Sequence, residues 1–431
     1  MTNTLRTYWA TDEFGLSLEH RGMSSGYTVP ELVQPGLRRN PRRAHLLVST
    51  VLGKHIPTDP AVVLGAGRRL GQLVADLLGD VAPEALVLGF AETATGLGHC
   101  VAEALGARCY VHSTRRRVPG AEVFAGFEEG HSHATSHLLQ PTSQALFANT
   151  APLVLVDDEI STGATAIDAI RSLHRSHPRD RYVIASLVDM RGDDHRRTTS
   201  AAERELGATI EHVSLAQGHT VLPADLTDRV TALPVPELNP VAPQRGSVRF
   251  VEVPWPSEVP DGGRHGVVRA DFARYDAAIE TAAEVVDSGR DTDRPAIVIG
   301  HEELMYLPLR LAHALAEHGT ATRFQTTTRS PAYVRDVSGY PLRRGFSFGA
   351  PEHIPADHEA EAARYLYNAR WPEPVPVRPE LILVIDSPAD TDRLRADGGV
   401  LDVLTAAGED VLVAILPATD PVALRASREK A

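Results

Sequence analysis

Leu153-Val154-Leu155-Val156-Asp157-Asp158-Glu159-Ile160-Ser161-Thr162-Gly163-Ala164-Thr165 is the stretch whose reading decides the fold. Four apolar residues form a short buried run. Two adjacent carboxylates follow, and then a small glycine-containing turn. From Ala166 the pattern becomes helical, with Ile167, Ala169, Ile170 and Leu173 on one side. A strand that ends in acid thus turns into the N-terminus of a helix. Such a turn offers backbone N–H groups and the positive end of a helix dipole, which suits a phosphate. Two carboxylates beside that phosphate would repel it, unless they accept hydrogen bonds from sugar hydroxyls or hold Mg2+. A sugar with vicinal hydroxyls and a 5-phosphate satisfies both demands.

At 431 residues the chain exceeds one ordinary core, and two domains are expected. No apolar stretch reaches membrane-spanning length, and the N-terminus lacks a charged-then-apolar signal pattern. Cys100 and Cys109 are the only cysteines, which argues against a disulfide framework or a cysteine-rich metal site. These features predict a soluble cytoplasmic protein with no membrane partner. The net charge of −13 argues against broad nucleic-acid binding, although local basic clusters can bind phosphates. Only Lys54 and Lys430 are lysines, so Lys54 stands out as a compact, titratable ammonium in an arginine-rich chain.

From about residue 40 to 220, β-type runs alternate with helical stretches, which predicts a parallel α/β sheet. Strands are expected at Ala61–Leu64, Ala85–Gly89, Arg108–His112, Leu153–Val156 and Tyr182–Asp189, and helices at Arg69–Leu78, Gly98–Leu105 and Thr165–His174. Leu233–Asp261 is rich in proline and reads as an extended linker or wrapping segment. The expected domains are 1–231, a linker over 232–264, and 265–431.

The second part looks like a worn copy of the first. Glu84–Gly106 resembles Arg294–Gly319, Cys109–Arg116 resembles Arg323–Ser330, Phe127–Leu139 is loosely like Phe348–Ala360, and the acid-tipped strand resembles Glu380–Arg393. Four matches in one order suggest a duplicated unit. In the copy Asp386 survives from the acid pair with Ser387 as its partner, and the phosphate turn is absent.

The acid pair and T-G-x-T turn resemble the 5-phosphoribosyl-1-pyrophosphate (PRPP) site of type I phosphoribosyltransferases. The whole chain resembles a bacterial family with an orotate-phosphoribosyltransferase-like domain followed by a TRSP domain. That domain is named for a motif standing here as Thr328-Arg329-Ser330-Pro331. Members are associated with tellurium-resistance and stress gene clusters. The resemblance implies a type I phosphoribosyltransferase fold, a parallel sheet flanked by helices with a hood, followed by a degenerate phosphoribosyltransferase-like α/β domain. It implies that Asp157 and Asp158 hold the ribose hydroxyls, with Mg2+ entering through PRPP, and that Ser161, Thr162, Gly163, Ala164 and Thr165 hold the 5-phosphate. Glu92, Thr93, Ala94, Thr95 and Gly96 stand where the family places its pyrophosphate loop.

Arg115 and Arg116 follow the next expected strand and are expected to neutralise charge on departing pyrophosphate. The family then places a loop that closes over the site, here Val118–Pro141. Its Glu128, Glu129, His131, His133 and His137 leave three roles open: acid–base or pyrophosphate contacts, transition-metal ligation, or plain surface. Arg42, Arg43, Lys54 and His55 precede the first core strand, where the family builds its base-binding hood. They are expected to read an acidic or oxo-rich base, with simple surface charge as the alternative. In the second domain His301, Glu302, Glu303, Thr328, Arg329, Ser330 and Asp386 are expected to line a ligand pocket without phosphoribosyl chemistry.

Together these features predict a Mg2+-dependent phosphoribosyltransferase that uses PRPP and a heterocyclic base, or a nucleotide in the reverse direction, and leave a homodimer open. The rival is a PRPP or nucleotide sensor of the same fold without turnover. A damaged phosphate turn or pyrophosphate loop would mark the rival, and neither is damaged in the first domain.

Overall fold

The computed structural model describes residues 8–23, 25–128, 136–291, 293–354, 362–372 and 377–430. Seven strands form the first sheet. In spatial order they are β1 (Ser17–Met23), β10 (Thr209–Val221), β9 (Arg181–Asp189), β8 (Leu153–Ile160), β4 (Leu86–Gly89), β5 (Cys109–His112) and β12 (Val267–Val268). The five inner strands are parallel, and β1 and β12 are antiparallel edges. The second sheet is wholly parallel, in the order β11 (Val248–Glu252), β18 (Val411–Leu416), β17 (Glu380–Asp386), β13 (Ala296–Gly300) and β14 (Thr322–Thr326). Three hairpins stand apart: β2 (Val33–Leu37) with β3 (His45–Ser49), β6 (Ala125–Glu128) with β7 (Ser136–Leu139), and β15 (Gly345–Gly349) with β16 (Ala363–Tyr367). The central strands are buried on both faces, which is why they read as unbroken apolar runs.

Two expectations about elements change. Ala61–Leu64 is not a strand but the first turn of a 19-residue helix, Pro60–Leu78. Its start is set by Asp59, whose carboxylate accepts from the Ala61 amide at 3.0 Å, and by Pro60 at the first helical position. The β-branched pair Val62-Val63 hid that cap. Strand β8 runs past Val156, so Asp157 and Glu159 are still paired with β9, opposite Ser186 and Val188.

The sheets repeat one another. The order β9-β8-β4-β5 recurs as β18-β17-β13-β14, and Gly89 opposite Val156 and His112 corresponds to Gly300 opposite Val384 and Thr326. This register sets Asp158 against Asp386 and Asp157 against Ile385. The lost member of the acid pair is therefore replaced by Ile385, and Ser387 lies beyond it.

The two halves interlock. Thr58 and Phe324 of β14 exchange backbone hydrogen bonds of 2.9 and 2.8 Å, while β12 lies antiparallel on β5 with Val267 opposite Tyr110. Each half thus lends the segment ahead of its long helix to the other's sheet edge. His99 of helix Thr95–Leu105 stacks on Tyr306 of helix Tyr306–Glu317 with ring centroids 3.6 Å apart. One apolar core runs through both halves, including Val87, Tyr110 and Val154 of the first and Tyr306, Phe324 and Ile382 of the second. Within the proline-rich stretch Leu233–Asp261, Val248–Glu252 forms the edge strand β11. No helix among the described residues is long and apolar enough to cross a membrane.

Candidate active site

Strand β8 carries Asp157 and Asp158 to the carboxyl edge of the first sheet, and Ser161-Thr162-Gly163 leads into helix Ala164–Ser176. Gly163 adopts φ +82°, a left-handed conformation that favours glycine. Thr162 Oγ1 accepts from the Ala164 amide at 3.2 Å, which pins the turn. The first amides of the helix lack intrahelical acceptors and point toward the same edge. Burial and the neighbouring Asp158 charge push the Asp157 carboxyl well above its ordinary range. Two carboxylates this close form a site that hydroxyl donors or a divalent cation would relieve.

Thr93 reaches this pair, with Oγ1 3.4 Å from Asp158 Oδ1, so the pyrophosphate-loop candidate and the acid pair meet. Ala94, Thr95 and Gly96 are buried beneath it. Two of the cations expected in a hood come to this edge, Arg43 from the turn between β2 and β3 and Lys54 from the loop after β3. Arg43 pairs with Glu159 at 2.6 Å, and Lys54 Nζ lies 4.0 Å from Asp158 Oδ2. Arg42 stays exposed in the turn between β2 and β3, its amide on Asn40 Oδ1 at 2.8 Å.

The structure redirects four expected site residues. Glu92 does not face a pyrophosphate: its carboxylate accepts from Thr328 Oγ1 and, at 2.9 Å, from the Arg329 amide of the second half. Arg116 turns away from the acid pair and binds Asp386 at 2.7 Å, because that buried carboxylate demands a partner. His55 is buried against Tyr367, with burial holding its pKa well below the ordinary value, so it is not a hood surface group. His137 is a core residue, stacked on Phe127 with Nδ1 2.8 Å from Ser113 Oγ. Glu129, His131 and His133 lie outside the described residues, as does the side chain of Glu128.

Arg115 takes part through its amide, which donates to Glu303 Oε1 at 2.9 Å, while Thr114 Oγ1 donates to Glu303 Oε2 at 2.7 Å. This mirrors the Glu92 contacts: each half's loop glutamate accepts from the threonine hydroxyl and following amide of the other half. Burial alone would raise the Glu303 carboxyl. Arg264, His112, Arg116 and the Arg115 amide outweigh it and hold the group below its ordinary range.

Most of the residues expected to line a second pocket are buried, and their carboxylates are taken up by guanidinium groups. Glu302 pairs with Arg329 at 2.9 Å and with Arg364, Glu352 pairs with Arg364 at 2.6 Å, and His301 Nε2 lies 3.1 Å from Glu352. Ligand atoms of His301, Glu302 and Glu352 lie within 4.8 Å of one another, the spacing of a metal site, yet Arg364 already supplies the positive charge there. Ser330 contributes its carbonyl to Tyr367 Oη at 2.8 Å.

One recurrence escaped the sequence reading. Gly53-Lys54-His55 is repeated as Gly263-Arg264-His265 ahead of the second long helix. A Cβ on Gly53 would collide with Phe324, and one on Gly263 with Tyr110, its counterpart. Lys54 approaches Asp158, and Arg264 Nη1 lies 3.9 Å from Asp386. The G-(K/R)-H tripeptide was the available signal.

Residues 32–219 match a family model described as phosphoribosyl transferase, and residues 261–404 match one described as the TRSP domain C-terminal to that transferase. Comparison with curated proteins gave no match. Among solved structures, the chain is similar to the Trypanosoma brucei adenine phosphoribosyl transferase in complex with AMP, pyrophosphate and ribose-5-phosphate. Identity is 14%, covering 48% of this chain and 84% of that one, with a TM-score of 0.31. The Giardia lamblia enzyme complexed with 9-deazaadenine is 18% identical over 43% of this chain and 93% of its own, with a TM-score of 0.32. The Leishmania tarentolae adenine phosphoribosyltransferase is 15% identical over 50% and 98%, with a TM-score of 0.30. By the family models, an α/β segment similar to phosphoribosyl transferases is followed in this chain by a segment similar to the TRSP domain.

Proposed function

We propose that the first half transfers a 5-phosphoribosyl group between PRPP and the nitrogen of a heterocyclic acceptor, in either direction. The observation that carries this reading is the acid pair near the end of β8, shortly before the left-handed Gly163, with Thr93 of the facing loop 3.4 Å from Asp158. Asp157 and Asp158 accept hydrogen bonds from the ribose hydroxyls. The amides and hydroxyls of 161–165 hold the 5-phosphate at the start of a helix. The loop around Thr93 faces the pyrophosphate. Mg2+ arriving with PRPP would be held beside Asp157 and Asp158 and would supply charge neutralisation for the pyrophosphate. The residues themselves position the reactants and exclude water, and no covalent nucleophile is required.

The test is incubation with PRPP, Mg2+ and a panel of heterocycles, following pyrophosphate and new nucleotides by mass spectrometry. Acceptor-dependent pyrophosphate release supports turnover. PRPP binding without release for any acceptor would favour a sensor, and absence of PRPP binding would overturn the reading.

A further inference from the structure

Lys54 belongs by sequence to the first half, but the second half holds its loop. The Gly53 carbonyl accepts from the Thr326 amide at 2.9 Å, Thr58 is bridged to Phe324, and Asn368 Nδ2 donates to the His55 carbonyl at 2.8 Å. Gly53 has φ +76° and packs directly on the Phe324 ring. The loop 53–58 is thus stitched onto β14 on both sides of Lys54. From there the ammonium, with a side chain only 13% exposed, reaches back to the first half's Asp158. The other oxygen of Asp158 faces Thr93. Lys54 therefore stands where the acid pair meets the loop that faces the pyrophosphate.

The pseudo-symmetric position differs in a telling way. Asp386 is approached by Arg264 and is also bound by Arg116 of the first half at 2.7 Å. The counterpart of Arg116 in the second half is Ser330, too short for the reciprocal reach. The second site is closed by an additional guanidinium. At the first, Lys54 is placed beside Asp158, and Arg38 also acts on that carboxylate electrostatically.

Building on the phosphoribosyl-transfer reading, we propose that Lys54 is a donor-binding residue for the pyrophosphate of PRPP. Phe324 and Asn368 of the second half are the positioning residues that hold it. In the transfer the bond from C1 to the pyrophosphate oxygen breaks and its electron pair leaves with pyrophosphate. The acceptor nitrogen bonds to C1 and sheds its proton to solvent. Lys54 gives its ammonium to the growing negative charge and undergoes no bond change itself. The second half then serves the first as a built-in neighbour that shapes its donor site.

Calorimetry on the full chain distinguishes the alternatives, with three probes: PRPP plus Mg2+, pyrophosphate plus Mg2+, and ribose 5-phosphate. Lys54→Met should weaken PRPP and pyrophosphate by about 10- to 100-fold, the scale of a lost hydrogen bond between charged groups, and ribose 5-phosphate by less than about 3-fold. Asn368→Gly keeps the left-handed backbone of Asn368, at φ +60°, and removes its side-chain bonds. It should weaken PRPP by about 3- to 10-fold in the wild-type background and add little to Lys54→Met. If that variant melts below the assay temperature, Phe324→Leu carries the same expectation. Unchanged PRPP affinity in Lys54→Met, equal loss of ribose 5-phosphate, or an additive Asn368→Gly effect would each overturn the proposal. If Asp158→Asn abolishes PRPP binding while Lys54→Met preserves it, only the role of Lys54 fails. If the wild type binds none of the probes, the phosphoribosyl-transfer reading fails with it.

Discussion

Asp157 and Asp158 show how one site sets binding against stability. Burial and the Asp158 charge raise the Asp157 carboxyl, so the folded protein holds that proton more tightly than the unfolded chain. The stability this contributes is complete below the ordinary value of 3.8 and is lost as pH rises through the folded value. Asp157→Asn should therefore stabilise the ligand-free protein, by an amount that grows with pH. Melting temperatures of mutant and wild type at pH 5 and pH 8 measure this, and a difference independent of pH would contradict it. With Asp158→Asn added, PRPP affinity should fall by about 10- to 1000-fold, since bonds to charged groups contribute about 1.5–3 kcal/mol each. Undiminished binding in the folded double mutant would remove the acid pair from the site.

At the scale of elements, the turn proposed to hold the 5-phosphate depends on Gly163 and on what lies beneath it. A Cβ there would sit 3.4 Å from Arg191 Cδ, in a backbone conformation that a side chain strains. Arg191 has little room to give. It is buried and bound to both oxygens of Asp189, to Thr199 Oγ1 and to His212 Nε2. Gly163→Ala should cost about 1 kcal/mol of stability. It should also raise the PRPP KM several-fold with a smaller change in kcat, as expected when ground-state binding is lost. A melting curve and steady-state kinetics test both parts, and an unchanged KM would count against a phosphate role for this turn. This element was legible because an apolar run, an acid tip and a small-residue turn are local signals. The start of helix Pro60–Leu78 was equally local, but its Asp59-Pro60 cap was outweighed in the reading by the β-branched residues after it.

Across the whole molecule, buried carboxylates tie the halves together. Glu303 joins Thr114, the Arg115 amide and Arg264, and Arg116 joins Asp386. Removing one partner leaves buried charge unpaired, so Glu303→Ala should cost about 3–5 kcal/mol. Denaturant unfolding measures the loss, and a cost below about 1 kcal/mol would mean that the contact is not a clasp. Glu302, Glu303 and Glu352 are all held below the ordinary value of 4.5; burial opposes this, and the facing arginines and His301 or His112 outweigh it. Depressed carboxyls contribute stability above the unfolded value and lose it as pH falls. The wild type should therefore lose stability below about pH 4.5, and Glu303→Gln should show a shallower acid limb. Equal acid limbs would contradict that assignment.

The sequence by itself determined the alternating α/β architecture, the acid-tipped strand with its turn, and the duplicated order of segments. Each of these is written in neighbouring residues through period, caps and small side chains. Only the tertiary structure decided where the long charged groups go. Glu92 meets Thr328, 236 residues away, Thr114 meets Glu303 across 189, and Arg116 meets Asp386 across 270. Nothing local specifies those partners. A buried charge must be paired, and its partner is whichever opposite group the docking of the two sheets brings within reach.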